Sequence, residues 1–229
     1  MVIYRLPKKQ SLMGRSFCPS CKHKLNWCDL IPLISFFVLG RKCRYCRVSI
    51  SLRYPLVEIM TGVAFVAIFL FLGSVLNITL LFWLFIASCL IAVFWIDREQ
   101  GIIPDELLIL MLLVAMPFFL TVSPSLVIPH LATGMVSFLF FLGIVGVTRG
   151  RGMGMGDVKL AFVMGFLLGY PNVVVAFYAA FLTGAALSII LIIAKKKKLG
   201  DAIAFGPFLV IGFFIAFFLG DALKGILPL

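Results

Sequence analysis

Charged residues are scarce in this chain, and acidic residues are the scarcest. Only 13% of the 229 residues are charged, with nine Asp and Glu against twenty Lys and Arg, while 63% are hydrophobic and the mean hydropathy is +1.18. Soluble domains are about 45–50% apolar. This composition excludes an ordinary soluble domain and indicates an integral membrane protein, in which an acid near an apolar segment suggests a function.

The excess of basic residues gives a net charge of +11, which in a soluble protein would suggest a nucleic-acid partner. Here the basic residues cluster, and eleven of the twenty precede residue 54. Lys and Arg mark the cytoplasmic loops of membrane proteins. The charge therefore reports membrane topology, and no nucleic-acid partner is expected.

Apolar segments bounded by Gly, Pro or charged residues follow one another from residue 55 onward. They lie at about 55–73, 77–96, 106–122, 127–148, 158–170, 172–194 and 203–223. Most have the roughly 20 residues that a transmembrane helix needs, although 158–170 is short. If all seven cross and the N terminus is cytoplasmic, nineteen of the twenty basic residues lie on the cytoplasmic side, with Lys224 the exception. The sequence therefore predicts an all-α membrane bundle of about seven spans over 54–229 and a small cytoplasmic domain over 1–53.

Four of the six cysteines form two Cys-x-x-Cys pairs, Cys18 with Cys21 and Cys43 with Cys46, which twenty-one residues separate. Four thiolates complete a tetrahedral zinc site and leave no open position for chemistry, so the zinc would be structural. The separation slightly exceeds the usual ~15–20 residues. Disulfides are the competing use of four cysteines, but they are disfavoured in a reducing cytosol. The N-terminal domain is therefore predicted to be zinc-ribbon-like.

A glycine-rich segment ends in an acid just before the short apolar segment. It runs Gly152-Met153-Gly154-Met155-Gly156-Asp157-Val158-Lys159. Gly154 and Gly156 lack a Cβ, which lets another part of the chain approach closely, so we expect them to support Asp157. Two interpretations of Asp157 stay open. It caps the following helix, where an acid satisfies free backbone N–H groups, or it performs chemistry at the membrane edge.

A second acid, Asp97, follows the apolar segment 77–96, so the topology places it on the same face of the membrane as Asp157. If the second and fifth spans are neighbours, the two carboxylates meet. Two carboxylates that share a proton cannot both ionise easily, so one acts as acid and the other as base. Such a pair activates a water on a peptide carbonyl without a metal ion, and it titrates as a unit, so the roles stay unassigned. Asp97 and Asp157 are the predicted catalytic residues.

Two further charged residues adjoin this predicted pair. Asp105 follows Pro104 at the start of a helix, where acids are favourable, so we expect it to support the site rather than to catalyse. Lys159 lies two residues after Asp157. It either offsets local negative charge or binds a lipid phosphate, and the sequence leaves both roles open.

Motifs over nearly the whole length carry a family resemblance. They are Tyr4-Arg5-Leu6-Pro7, the two cysteine pairs around Trp27 and Ile31-Pro32, Arg53-Tyr54-Pro55-Leu56-Val57-Glu58, Ile96-Asp97 with Ile103-Pro104-Asp105, Gly154-Met155-Gly156-Asp157-Val158-Lys159, and Phe205-Gly206-Pro207-Phe208. Together they resemble the type IV prepilin leader peptidases, the bacterial family that includes the competence and type II secretion pseudopilin peptidases. The GxGD element alone is weak evidence, because the presenilin-like proteases share it.

The resemblance implies a function and a location. Family members cleave the short basic leader of prepilins or pseudopilins after a glycine that precedes the apolar pilin helix, at the cytoplasmic face of the bacterial inner membrane. Many also methylate the new N terminus with S-adenosylmethionine. The resemblance implies Asp97 and Asp157 as the catalytic pair, the same residues that the topology selects. No residue independently indicates a methyl-donor site, and the pathway, whether pilus, competence or secretion, stays open.

The chain departs from the family pattern at its start. Members usually begin with an extra apolar span and a Gly-Ser-Phe-Leu-Asn-like stretch just before the motif at 4–7. This chain begins inside that motif. Either its true start lies upstream, or it has seven spans where eight are typical.

Two other functions use the same acids and stay open. One is a different GxGD protease that cuts within a transmembrane substrate, but the predicted acids lie at the membrane edge rather than deep in the bilayer. The other is a small ion or proton transporter, which would place its acids near the midplane between inverted repeats. The sequence has neither feature of a transporter, so the peptidase hypothesis is preferred.

Overall fold

The computed structural model describes residues 2–8, 11, 14–150, 152–196 and 203–223. Within these residues the chain is helical and has no strand, only isolated bridges between Phe17 and Lys24 and between Lys42 and Ser49. The helices are α1 (Val2–Arg5), α2 (Ile34–Val38), α3 (Arg53–Phe71), α4 (Ile78–Gln100), α5 (Asp105–Val122), α6 (Val127–Thr148), α7 (Met155–Leu168), α8 (Asn172–Ile193) and α9 (Gly206–Leu223). Short 3-10 turns cover Leu6–Lys8, Trp27–Leu30 and Pro124–Leu126. The predicted all-α class is confirmed.

The chain forms two compact units, Met1–Ile91 and Ala92–Leu229, and the boundary between them falls inside α4. The predicted division between residues 53 and 54 follows composition rather than packing, and it stays a prediction. Several basic residues counted in the topology argument lie outside the described residues, namely Lys9, Arg151, Lys197, Lys198 and Lys224.

Six helices are long and apolar enough to cross a membrane, judged by length and composition over the described residues. They are α3, α4, α5, α6 with the turn before it, α8 and α9, and they make this a multi-pass membrane protein. The predicted fifth span, 158–170, corresponds to α7, which has 14 residues. A helix of that length measures about 21 Å against a hydrocarbon core of about 30 Å. That α7 crosses the bilayer therefore stays a prediction.

Helix α7 is the centre of the second unit, where it packs against α5, α6, α8 and α9. Its buried residues are Asp157, Val158, Leu160, Ala161, Val163, Met164, Gly165, Phe166 and Leu167. A helix that is apolar all round belongs in an interior rather than at a surface. Longer helices thus surround α7, and the acid in its first turn is held inside the unit.

Helices α6 and α7 approach closely because each has a glycine at their contact. A Cβ added to Gly165 would lie 2.8 Å from the Cα of Gly134 and 2.6 Å from Oγ of Ser137. Between helices in lipid, close packing of this kind replaces the hydrophobic effect as the attractive force. The contact therefore fixes α7, and with it the position of Asp157.

We expect Gly165→Ala to destabilise the folded protein by about 1–3 kcal/mol, because overpacking a close contact costs that much. Gly143→Ala in α6 is the matched control, since a Cβ there meets no atom within 4 Å and alanine is the better helix former by about 1 kcal/mol. Thermal unfolding in detergent measures both variants. If the two variants were equally stable, the close α6–α7 contact would be contradicted.

Candidate functional site

Asp97 lies in the last turn of α4, and its side chain is buried. Its Oδ2 accepts a hydrogen bond of 3.0 Å from the backbone N–H of Gly206, the first residue of α9. The first N–H groups of a helix have no partner within the helix, and they lie at the positive end of its dipole. The start of α9 therefore stabilises a negative charge on Asp97.

Only glycine fits at position 206. A Cβ added to Gly206 would lie 2.6 Å from Oδ2 of Asp97 and 3.1 Å from Cδ1 of Ile103. Because the backbone of α9 has to come within hydrogen-bond distance of the carboxylate, a side chain at this point would push the acid out of place. Glycine at position 206 therefore allows the start of α9 to hold the Asp97 carboxylate in position.

Asp157 is the third residue of α7 and is also buried. Its Oδ2 accepts a hydrogen bond of 3.1 Å from the backbone N–H of Gly154, the residue before the helix. Asp157 therefore does cap α7, as one interpretation of the sequence proposed. Only one carboxylate oxygen takes part in this bond, so capping leaves the other interpretation open.

The surroundings of Asp97 and Asp157 have one residue in common. Ile103, in the loop after α4, connects their surroundings, because a Cβ added to Gly156 would lie 3.0 Å from the Cβ of Ile103 and Ile103 also lies against Gly206. The structure thus brings together Asp97, Asp157 and the glycines beside them.

Sequence reasoning gave no role to Gly206 or Ile103, although both lie in motifs that carry the family resemblance. The sequence predicts that the acids meet if the second and fifth spans are neighbours. The main packing partners of α7 are instead α5, α6, α8 and α9. The surroundings of the two acids are instead connected by Ile103, in the loop after α4, and by Gly206, at the start of α9.

Asp105 and Lys159 form an ion pair that joins the start of α5 to α7. The Nζ of Lys159 lies 2.8 Å from Oδ1 and 2.7 Å from Oδ2 of Asp105. Both side chains are about half exposed, and exposed ion pairs contribute only about 0–1 kcal/mol. The pair opens onto a groove of about 380 Å³ whose other walls are apolar side chains of α5, α6 and α7. Of the two roles left open for Lys159, the geometry supports the offset of a neighbouring negative charge.

The four predicted cysteine ligands converge. The Sγ atoms of Cys18, Cys21, Cys43 and Cys46 all lie within 4.8 Å of one another, and those of Cys18 and Cys46 are 3.8 Å apart. A tetrahedral zinc with Zn–S bonds of about 2.3 Å requires sulfur atoms about 3.8 Å apart. The donor set and its spacing fit zinc, and all six cysteines are free of disulfides.

The two cysteine pairs have the same local geometry. In the first, the N–H of Lys22 donates to the carbonyl of Cys18, and in the second, the N–H of Arg47 donates to the carbonyl of Cys43. Lys22 and Arg47 both adopt left-handed backbone, at φ of 57° and 59°. Two equivalent tight turns thus direct two thiols each toward one point.

The thiols of the cluster differ in pKa. Burial raises the pKa of the Cys18 thiol, but hydrogen bonds from the backbone N–H groups of Cys21 and Ser20 and with the thiols of Cys21 and Cys43 outweigh it and lower the pKa to about 7. The backbone N–H of Val48 lowers the pKa of the Cys46 thiol, but burial and hydrogen bonds with the other three thiols outweigh it and raise the pKa to about 11. A thiolate is the form that binds metal. Cys28 and Cys89 lie outside the cluster.

Two family matches cover most of the chain. Residues 1–72 match the bacterial peptidase A24 N-terminal domain, and residues 83–189 match the type IV leader peptidase family. The first match contains the cysteine cluster, and the second contains both acids. No solved structure matches the chain.

Proteins named prepilin leader peptidase/N-methyltransferase are similar over nearly the whole chain. The protein of Aeromonas hydrophila is 32% identical over 225 residues, which are 95% of this chain and 76% of that protein. The protein of Pseudomonas aeruginosa is 34% identical over 221 residues, 92% of this chain and 73% of its own. The protein of Bacillus subtilis is 31% identical over 226 residues, 96% of this chain and 88% of its own. The resemblance is confirmed, and the chain belongs to the type IV leader peptidase family.

Proposed function

We propose that this protein is a membrane aspartyl endopeptidase that removes the short basic leader from prepilins or pseudopilins, cutting after a glycine at the cytoplasmic face of the bacterial inner membrane. The main evidence for this proposal is the presence of two buried carboxylates, Asp97 at the end of α4 and Asp157 at the start of α7. Each acid lies at the end of a helix, Asp97 in the last turn of α4 and Asp157 in the first turn of α7.

The geometry suits general acid–base hydrolysis of a peptide bond. In each acid, Oδ2 accepts a backbone N–H, which leaves Oδ1 available for a shared proton, a water or the substrate. One carboxylate takes a proton from water as its oxygen bonds to the carbonyl carbon, and the other donates a proton to the carbonyl oxygen. The tetrahedral intermediate then collapses, the C–N bond breaks, and the leaving nitrogen takes up a proton. These steps need no metal ion at the acids.

Four further residues would support this chemistry. Gly154 donates the hydrogen bond that orients Asp157, and Gly156 lets Ile103 pack beside it. The Asp105–Lys159 pair ties α5 to α7 just beyond the acids. All four hold the two carboxylates in place rather than take part in the reaction.

Zinc and S-adenosylmethionine are the proposed cofactors. Zinc would bind Cys18, Cys21, Cys43 and Cys46 and stabilise the N-terminal domain, which we place in the cytoplasm. We propose S-adenosylmethionine because the relatives are named as N-methyltransferases. The described residues do not indicate which side chains would bind it. Mass spectrometry of the cleaved product with and without S-adenosylmethionine would detect methylation.

Both acids should be required for cleavage. Asp97→Asn and Asp157→Asn should each lower the rate of prepilin cleavage by about 10²–10⁴-fold, the usual contribution of a general acid or base. Purified protein in detergent is mixed with a prepilin, and mass spectrometry locates the cut. Glu106→Gln, an exposed acid in the first turn of α5, is the control and should leave the rate unchanged.

Gel filtration in detergent would check that each variant is folded. Cleavage that persists in a folded Asp97→Asn or Asp157→Asn protein would exclude the proposed mechanism. Detergent holds no ion gradient, so cleavage by the wild type also separates a protease from an ion transporter. A cut inside the apolar pilin helix would indicate an intramembrane protease instead.

Glycine at position 206 should be required for full activity. Gly206→Ala should lower kcat by about 10–100-fold, because an error of about 1 Å in the position of a catalytic group costs up to about 10²-fold. Gly220→Ala is the matched control in the same helix, since a Cβ there would lie 2.5 Å from Oδ1 of Asn172, at a similar crowding but away from the acids. Both variants should lose stability, and only Gly206→Ala should lose activity per folded molecule. Equal activity losses would mean that crowding alone explains the effect.

The cluster of four cysteines should bind one zinc ion. Wild-type protein should contain one zinc per chain, and Cys46→Ser should lose zinc and melt at a lower temperature, because a structural zinc contributes folding free energy directly. Elemental analysis and thermal unfolding measure the two effects. Cys28→Ser should retain the metal, since this thiol lies outside the cluster. A protein that lacks zinc after purification from zinc-supplemented cells would contradict the site.

A further inference from the structure

An apolar surface patch lies between the two cysteine pairs. It consists of Trp27, Leu30, Ile34, Phe37 and Val38, from the 3-10 turn Trp27–Leu30 and from α2, which pack against each other. Trp27 is 76% exposed, Phe37 68% and Val38 76%. Large apolar side chains exposed together mark a surface that contacts a partner or a membrane.

A hydrogen bond fixes the depth of this patch relative to a membrane helix. The backbone N–H of Leu33, the residue before α2, donates to Oε2 of Glu58 at 2.8 Å. Glu58 is in the second turn of α3, about 8 Å along the axis from Arg53, where the helix begins. Since α3 is long and apolar enough to span the bilayer, the bond holds α2 level with the first turns of a span.

For a span that begins at Arg53, that level is near the boundary between lipid headgroups and acyl chains. Interfacial helices bury their apolar faces about 5–10 Å into this boundary, and Trp is enriched there. Surface that is apolar and exposed at this depth therefore meets lipid rather than bulk water. The patch is thus at the right height to contact the bilayer that α3 crosses.

The side chains around the patch agree with a lipid surface. Phe36, on the other side of α2, is buried, and the guanidinium of Arg41 lies 5.9 Å from its ring centroid. The residues of α2 that face away from the protein, Ile34, Phe37 and Val38, are therefore apolar and largely exposed. Arg41, Lys42 and Arg47, which follow α2, are exposed, and basic residues at a membrane surface gain about 1 kcal/mol each from anionic lipids.

We propose that this patch inserts into the interfacial layer of the protein's own membrane, with Trp27, Phe37 and Val38 among the upper acyl chains and the adjoining basic residues at anionic headgroups. The cysteine domain would then lie on the membrane surface. The proposal concerns lipid contact alone, so its test requires no cleavage activity.

The test uses the full chain in nanodiscs of phosphatidylcholine and phosphatidylglycerol, in which the phosphatidylcholine is brominated on the upper part of its acyl chains. Bromine quenches tryptophan on contact. The chain has three tryptophans, so the emission that Trp27→Phe removes is assigned to Trp27. More than half of that emission should be quenched by brominated lipid relative to unbrominated lipid.

A second pair of variants keeps the result interpretable. Phe37→Glu should reduce the quenching of Trp27, because a charge disfavours insertion. Ser49→Glu, which adds the same charge at an exposed position outside the patch and the cysteine turns, should not. Unquenched Trp27 emission in the wild type would overturn the proposal. Emission that is blue-shifted yet unquenched would also overturn it, and it would indicate that protein covers the patch.

Discussion

The burial of two carboxylates, those of Asp97 and Asp157, is the constraint on which the second unit depends. A charge in an apolar interior costs several kcal/mol unless hydrogen bonds replace the lost water. Here backbone N–H groups at Gly154 and Gly206 supply those bonds. For that reason α9 has to begin beside Asp97 and α7 has to begin just before Asp157. The donor at position 206 also has to lack a side chain, because a Cβ there would lie against the acid.

The same constraint accounts for the length and surroundings of α7. Its first turn is fixed at the depth of the acids, and it ends at Leu168 after 14 residues. At membrane depth, a segment that is not a full span is tolerated where protein rather than lipid surrounds it. The glycine contact between α6 and α7 provides that close enclosure, so the packing of α7 and the placement of Asp157 depend on one another.

Features with a local signature could be predicted from the sequence. Hydropathy indicated the long helices, the Cys-x-x-Cys spacing indicated the ligand cluster, and the position of Asp97 and Asp157 at the ends of apolar segments indicated the acids. Contacts between distant residues could not be predicted in this way. The bond between Gly206 and Asp97 joins residues 109 positions apart, and the Lys159–Asp105 pair joins residues 54 apart. The boundary of the compact units inside α4 likewise follows from packing, whereas composition changes near residue 53.

The patch occupies the segment that the two cysteine pairs enclose, since 27–38 lies between Cys21 and Cys43. A zinc ion at the four cysteines would close that segment into a loop, and the proposed lipid contact would order the same loop. Two ligands that order one segment reduce the entropy cost of each other's binding, and this coupling is reciprocal. If both contacts form, the metal affinity of the domain depends on the bilayer as well as on the four thiolates, and we expect it to be higher on an anionic membrane than in detergent.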